Sequence, residues 1–402
     1  MFGFNVSKPI VDEEKINELL SRGVEEVIDK GSLKNKLKSG KELRIKLGID
    51  PTSPNLHIGR AIPLLKLKDF QDLGHKIIFI VGDFTGTIGD TSDKDSERPM
   101  LTQDQVENNM KSYIEQAGKI INLKECEVHY NSKWLAKISY RELGSQADVF
   151  SLSNFISREN IKKRLDAGTR VSLRELLYPL MQGYDSVAVK ADVELGGTDQ
   201  RFNLLAGREL QRLYKQEPQD VLTNPLIEGL DGRKMSSSWG NTINLLDPAN
   251  DMFGKVMSLN DNLIIRYFTL TTRVPLSTIE QYGQSLSSQV NPKEIKLKLA
   301  FEIVKMYHGE KSAKSAEENF ENTFSKGGLP ENLLEANSDP ENLFVDVLIK
   351  EQIVSSKSEF RRLVSEGAVT NTDSGEKITD ENFKALSGTY KIGKRRFIKI
   401  NN

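Results

Sequence analysis

The chain has 402 residues with 56 Lys and Arg against 57 Asp and Glu, a formal net charge of −1, which allows two or three domains and excludes a global polycation. Its single cysteine, Cys126, excludes an intramolecular disulfide framework and points to a reducing compartment. No run of 18 apolar residues and no signal-peptide pattern is present, so a soluble, cytoplasmic protein without membrane contact is expected.

Four histidines, at 57, 75, 129 and 308, and Cys126 lack zinc-site spacing, so no protein-held metal is expected. Residues 1–32 place Val11, Ile16, Leu19, Leu20, Val24 and Val27 at mostly helical steps, which predicts amphipathic helices. Leu43 to Asp50 then alternates as a strand and is stopped by Pro51 and Pro54. From Ile58, the spacing of Ala61, Leu64, Leu67 and Phe70 predicts a helix that tolerates Pro63 as a first-turn residue and closes at Gly74. The unpaired N–H groups at that helix start suit a phosphate chain approaching His57 and Gly59. Taken alone, His57-Ile58-Gly59 is equally an ordinary strand-to-helix turn.

Lys76 to Gly82 is almost continuously apolar, as a parallel strand covered on both faces would be. It runs into a loop where Gly82, Gly86 and Gly89 would let backbone approach a ligand, followed by Asp90, Lys94 and Arg98 at steps of four. A solvated charged loop would read the same way. Leu101 to Leu123 is helix-like and Glu127 to Tyr130 is a third short strand. Strands alternating with helices predict a doubly wound, Rossmann-like α/β domain with a parallel sheet, whose ligands lie beyond the C-terminal ends of the strands.

A polar helical stretch, Lys133 to Thr169, reads as an insertion. Beyond it, steps of four and three put Tyr178, Gln182 and Asp185 on one helical face, where they either meet water or satisfy a polar ligand. Ala191 to Leu195 is a strand ending in the glycine turn Gly196-Gly197-Thr198-Asp199-Gln200. Asp231-Gly232-Arg233 would turn the chain and leave Lys234 on a mobile loop, Lys234-Met235-Ser236-Ser237-Ser238. Pro248 to about Lys326 is helical, and Gly327 to Asn342 is a linker candidate. The tail from Leu343 to Ile400 holds 11 Lys and Arg against 8 Asp and Glu. The basic pair Arg361-Arg362 and the triplet Lys394-Arg395-Arg396 favour phosphate contacts over a merely solvated surface.

Together, the His-Ile-Gly turn and the Lys-Met-Ser loop resemble the two signatures of class I aminoacyl-tRNA synthetases. The segment Tyr178-x-x-x-Gln182-x-x-Asp185, with Asp199-Gln200, resembles the tyrosine pocket of the bacterial tyrosyl-tRNA synthetases in particular. The resemblance spans nearly the whole chain. It implies a catalytic domain over residues 1–240 with an insertion at about 133–170, a helical anticodon-binding domain over 241–330, and an S4-like α+β RNA-binding domain over 343–402. It implies a tyrosine-tRNA ligase, with tyrosine, ATP carried with Mg²⁺, and tRNA(Tyr) as partners, acting as a homodimer.

By the same resemblance, Tyr178, Gln182 and Asp90 hold the substrate ammonium, Asp185 the phenolic hydroxyl, and Gln200 the carboxylate region. Asp50 lies beside the amino acid and ribose, Gly197 and Asp199 reach the adenosine ribose, and Thr52, His57 and Gly59 meet ATP. Lys94, Arg98 and Lys234 neutralise the leaving pyrophosphate, while Arg361, Arg362, Lys394, Arg395 and Arg396 contact tRNA. Three positions depart from the pattern: Arg60 replaces a histidine near the ribose, Ser237 replaces a second loop lysine, and Lys46 stands where some members have a second phenol-binding tyrosine. A non-catalytic RNA-binding paralogue, or activation of tyrosine for another acceptor, would share the fold. Retention of His57, Asp90, Asp185, Asp199, Gln200 and Lys234 together argues against the first, and the basic tail against the second.

Overall fold

The computed structural model describes residues 8–92, 100–288, 290–322, 333–393 and 396–402. It divides into two compact units, one built from the chain up to residue 247 plus 258–299, the other from 248–257 plus 300–402.

The first unit is the expected doubly wound α/β domain. Its strands are β1 (Glu26–Ile28), β2 (Arg44–Ile49), β3 (Lys76–Val81), β4 (Glu127–Tyr130), β5 (Val193–Gly197) and β6 (Asp220–Asn224). They lie in the order β1-β6-β5-β2-β3-β4, all neighbours parallel except the antiparallel β1–β6 pair. From β2 the chain builds outward through β3 and β4, then crosses back to add β5 on the other side. The order therefore reverses between β2 and β5, and the crevice beyond their C-terminal ends is where such sheets bind ligands.

Ala61, Leu64, Leu67 and Phe70 are fully buried along the helix Ile58–Asp72, as their spacing requires. Two local expectations needed correction there and before it. Pro63 lies past the first turn, so its missing N–H deprives the Gly59 carbonyl of its helical donor. Val24 and Val27, read as helical, belong to the turn before β1 and to β1 itself, which pairs Val27 with Leu222. Short edge strands carry too few residues for a period to emerge. β6 was not foreseen, because Asp220, Thr223 and Asn224 make a wholly buried strand look polar. Lys36 pairs with Asp220 at 2.9 Å and Asn224 donates to the Gly23 carbonyl, so two side chains that read as surface find partners inside.

The inserted stretch folds as four short helices, Ser132–Leu135, Tyr140–Asp148, Leu152–Ile156 and Glu159–Asp166. Its last helix is tied to the domain by Arg164, whose guanidinium meets Glu175 with both groups buried. Further on, the first unit holds the helices Ile264–Thr271 and Leu276–Ser287.

In the second unit, the helices Ala249–Met257 and Glu310–Phe320 pack together, with Phe253 and Phe320 ring centres 5.5 Å apart. A four-stranded sheet follows: β7 (Leu334–Asn337), β8 (Val369–Asn371), β9 (Gly388–Ile392) and β10 (Arg396–Asn401), in the order β7-β10-β9-β8. β7 corrects the linker reading over part of its length, since Leu334 to Asn337 pair in parallel with Ile398 to Asn401. Gly327 to Pro330 lie outside the described residues. Helices Phe344–Lys350 and Lys357–Ser365 cover the sheet, and Phe344 packs on Tyr390 at 4.6 Å between ring centres.

Candidate active site

A cleft of about 460 Å³ opens in the first unit beyond the ends of β2 and β5. It gathers Asp50, Thr52, His57, Gly59, Arg60, Asp90, Tyr178, Gln182, Asp185, Gly197, Asp199, Gln200 and Lys234, residues drawn from separate stretches of the chain. Of the other positions singled out for this site, Lys94 and Arg98 lie outside the described residues.

At the deep end, Asp185 is buried on the helix Leu173–Val189. Its carboxylate accepts from Trp134 Nε1 at 2.7 Å and from Asn131 Nδ2 at 3.2 Å. Burial pushes its pKa up to about 7, against the opposing pull of the Lys46 charge and those two hydrogen bonds. Asn131 also donates to Thr85 Oγ1 at 2.9 Å, Thr85 donates to Asp50 at 2.7 Å, and the Tyr178 hydroxyl donates to the other Asp50 oxygen at 2.8 Å. Burial, with Asp50 and Asp90 nearby, raises the Tyr178 pKa well above the usual phenol value, so it remains a hydroxyl. Gly82 makes this chain of bonds geometrically feasible: a Cβ there would lie 2.0 Å from Asp50 and 2.4 Å from Thr85. The glycine thus admits protein side chains, where the sequence reading had reserved it for a ligand.

Lys46 does not face the phenol end. It is register partner to Glu194 across β2 and β5, and its ammonium donates to Glu194, to Ser186 Oγ at 2.8 Å and to the Gln182 carbonyl at 2.9 Å, with both charged side chains essentially fully buried. Gln182 turns its Nε2 to the same Glu194 at 3.3 Å. Asp90 accepts from the backbone and hydroxyl of Ser92 and, at 2.7 Å, from Gln200 Nε2.

The mouth of the cleft carries the other chemistry. His57 caps the helix Ile58–Asp72 without a side-chain capping bond, and its buried Nδ1 finds no partner among the described residues. Burial, reinforced by the Arg60 and Lys234 charges, holds its pKa at about 3, so at neutral pH it offers a neutral imidazole, a hydrogen-bonding group and not a cation. Arg60 donates to Tyr113 Oη at 2.6 Å and to Thr52 Oγ1 at 2.9 Å, which fixes a permanent positive charge over the turn after β2.

Lys234 reaches Asp199 at 3.1 Å across the cleft. Its loop is more tightly held than a free turn. Asn241 donates to Asp231 at 2.7 Å and to the Lys234 carbonyl at 3.1 Å, and accepts from the Ser236 N–H at 2.8 Å.

The basic tail residues are paired within their own unit. Arg361 meets Glu381, Arg362 meets Glu366, and Arg396 meets Glu359 and the Ile353 carbonyl. The Arg361 and Arg362 pairs are exposed, and such pairs contribute little and can exchange for a phosphate, whereas the Arg396 pair is part-buried. Lys394 and Arg395 lie outside the described residues.

Sequence reasoning missed Trp134, Asn131, Thr85, Glu194, Asn203 and Asn241, all of which hold a predicted residue in place. Only Asn203 left a signal, three positions after Gln200 on the same helical face.

Residues 38–325 match the family described as tRNA synthetases class I (W and Y). The tyrosine–tRNA ligase of Thermotoga maritima is 43% identical over 394 residues, covering 97% of this chain and 98% of that one. That of Desulfotalea psychrophila is 45% identical over 399 residues, covering 96% and 98%. Among solved structures, a C-terminally truncated mitochondrial tyrosyl-tRNA synthetase of Coccidioides posadasii matches with a TM-score of 0.63 at 24% identity, over 76% of this chain and 92% of that one. The tyrosyl-tRNA synthetase of Archaeoglobus fulgidus, complexed with L-tyrosine, matches with a TM-score of 0.60 at 20% identity, over 76% and 99%. The last two speak for the fold alone. With the sequence relatives aligned end to end and both signatures meeting in one cleft, the chain belongs to the class I tRNA synthetases, in their bacterial tyrosyl-tRNA synthetase branch.

Proposed function

We propose that the cleft joins tyrosine to ATP, forming tyrosyl-adenylate and pyrophosphate, and then passes the tyrosyl group to the 3′-terminal adenosine of tRNA(Tyr). The observation that carries this is Asp185, a buried carboxylate held by Trp134 and Asn131 at the closed end of the cleft. Such a group has acceptor capacity left for a hydroxyl, and a ligand without one leaves that remaining capacity unmet beside an apolar ring.

In this reading, Asp185 receives the phenol, while Asp90, Tyr178 and Gln182 receive the ammonium and Gln200 steers the carboxylate. The tyrosine carboxylate is already a nucleophile, so no general base is needed. One of its oxygens attacks the α-phosphorus, the bond from that phosphorus to the bridging oxygen breaks, and pyrophosphate leaves with the electron pair. The protein's task is to align two anions and stabilise the charge that moves. Asp50, Arg60, Gly197 and Asp199 serve the ribose; Thr52, neutral His57 and Gly59 serve the phosphates; Lys94, Arg98 and Lys234 neutralise the leaving group. Mg²⁺ would arrive bound to the phosphates, its preferred oxygen ligands, and supply further neutralisation there.

We assign residues 1–240 to catalysis with the insertion at about 133–170, 241–330 to the anticodon and 343–402 to RNA binding through Arg361, Arg362, Lys394, Arg395 and Arg396. We propose a homodimer, with the exposed Tyr140, Leu152 and Leu173 on and beside the insertion, at 94%, 66% and 77% exposure, as candidate contacts. No helix among the described residues is long and apolar enough to cross a membrane; the site of action we propose is the cytoplasm.

Tyrosine-dependent exchange of pyrophosphate into ATP, followed by charging of tRNA(Tyr), tests the proposal. Exchange with tyrosine and not with phenylalanine is the expected result. No exchange with any amino acid would overturn it.

A further inference from the structure

One buried amide lies behind the cleft and touches two of its glutamines. Asn203, on the helix Arg201–Leu213, is fully buried and does not line the cleft. Its Nδ2 lies 3.1 Å from Gln182 Oε1, 3.0 Å from Gln200 Oε1 and 3.2 Å from Ser92 Oγ.

The polarity of this arrangement follows from its ends. Gln182 is anchored on Glu194, a carboxylate paired with the Lys46 ammonium, and Gln200 is anchored on Asp90. Carboxylates only accept, so each glutamine has to turn its NH₂ outward to its acid. Both glutamine oxygens then converge on Asn203, which has to meet them with its own NH₂. The Asn203 oxygen is left without a donor among the described residues. A fully buried side chain that leaves one of its own atoms unsatisfied while holding two others is poorly explained as a packing element.

We propose that Asn203 is a positioning residue for the amino-acid zwitterion, locking the amides of Gln182 and Gln200 in the orientation that receives it. With Asn203 occupying one lone pair of Gln182 Oε1, the second stays available to accept from an ammonium. With Gln200 Oε1 held back, the second N–H of its Nε2 is free to donate to a carboxylate. Without Asn203, each amide is held only at its NH₂ end, and its oxygen is free to swing out of the position that serves the ligand. The inference rests on the proposed binding of tyrosine in this cleft.

Equilibrium binding of tyrosine and of 3-(4-hydroxyphenyl)propionate, which lacks only the ammonium, tests it in the full-length protein. For Asn203→Ala the expected result is an increase of about tenfold in the Kd for tyrosine, the size of one lost hydrogen bond to a charged group, with a smaller rise for the des-amino analogue, which still meets Gln200 through its carboxylate but has no ammonium for Gln182, and with the KM for ATP changed less than about twofold. Asn203→Ser, which keeps one donor, should recover part of the loss. Equal weakening of both ligands, no weakening of either, or a serine variant no better than the alanine one would overturn the inference. Loss of cooperative unfolding in both variants would assign Asn203 to the fold and overturn it as well. A parent protein that binds no tyrosine would instead defeat the proposed function, and that control is read first.

Discussion

The two ends of the cleft are held in different ways. At the deep end, Asp185 and Tyr178 are tied together through Asn131, Thr85 and Asp50, and Gln182 leans on Glu194, which Lys46 pairs from behind the cleft, all mostly shielded from water. At the mouth, Asp199 and Lys234 form a part-exposed pair on a loop whose own ties run through Asn241. A buried polar network is rigid, because every rearrangement strands a donor or acceptor in a low-dielectric interior. A part-exposed ion pair is cheap to open, because water replaces what is lost. The contrast matches two tasks. Telling one amino acid from another needs groups that cannot adapt, whereas following charge onto a leaving pyrophosphate needs a cation that can change partners.

The largest break in this comparison should come from Asp185→Ala. Removing the buried acceptor abolishes the preference for tyrosine over phenylalanine in pyrophosphate exchange. Tyrosyl-tRNA synthetases are themselves the standard illustration of this selectivity, and the figure of about 10⁵-fold is the one already established for them. An unchanged preference would remove Asp185 from the phenol site.

Lys234→Ala probes the mouth. Adenylate formation in single-turnover measurements should slow by about 10²-fold or more, with little change in the KM for ATP, because in the proposed role the lysine acts on charge that develops only in the transition state. A rate equal to the parent's would show that Lys94 and Arg98 suffice.

The pH dependence separates the two ends without mutation. Asp185 has a pKa raised by burial to about 7, and a phenol hydroxyl donates best to its ionised form. Tyrosine binding therefore weakens as pH falls below about 7, approaching roughly a tenfold rise in Kd per unit as the competent fraction shrinks. His57, held at about 3, adds no titration near neutral pH. A tyrosine Kd that is flat from about pH 8 down to about 5.5 would contradict this.

The smallest effect belongs to the tail. Arg361→Ala with Arg362→Ala should leave pyrophosphate exchange unchanged and flatten the slope of log K against log salt for tRNA binding by about 1 to 2, if both side chains meet phosphates. An unaltered slope would leave their carboxylate pairs, Glu381 and Glu366, as their whole role.

By itself the sequence determined the parts whose evidence is periodic or local. The helix from Ile58, the apolar β3, the face shared by Tyr178, Gln182 and Asp185, and the glycine turn before Asp199 could all be read from spacing, because helix and strand geometry repeats within a few residues. Only the tertiary structure decided what those residues lean on. β1 is too short for a pattern, β7 is a mostly exposed edge strand of mixed polarity, and β6 is polar because its partners lie far earlier in the chain, at Lys36 and Gly23. Lys46 resembled a pocket residue until the pairing of β2 with β5 set it opposite Glu194. Trp134, in a stretch read as a polar insertion, closes on Asp185 from 51 positions away. Hydrogen bonds between distant residues leave no period in the chain, so the supports of this site became visible only once folding had brought them together.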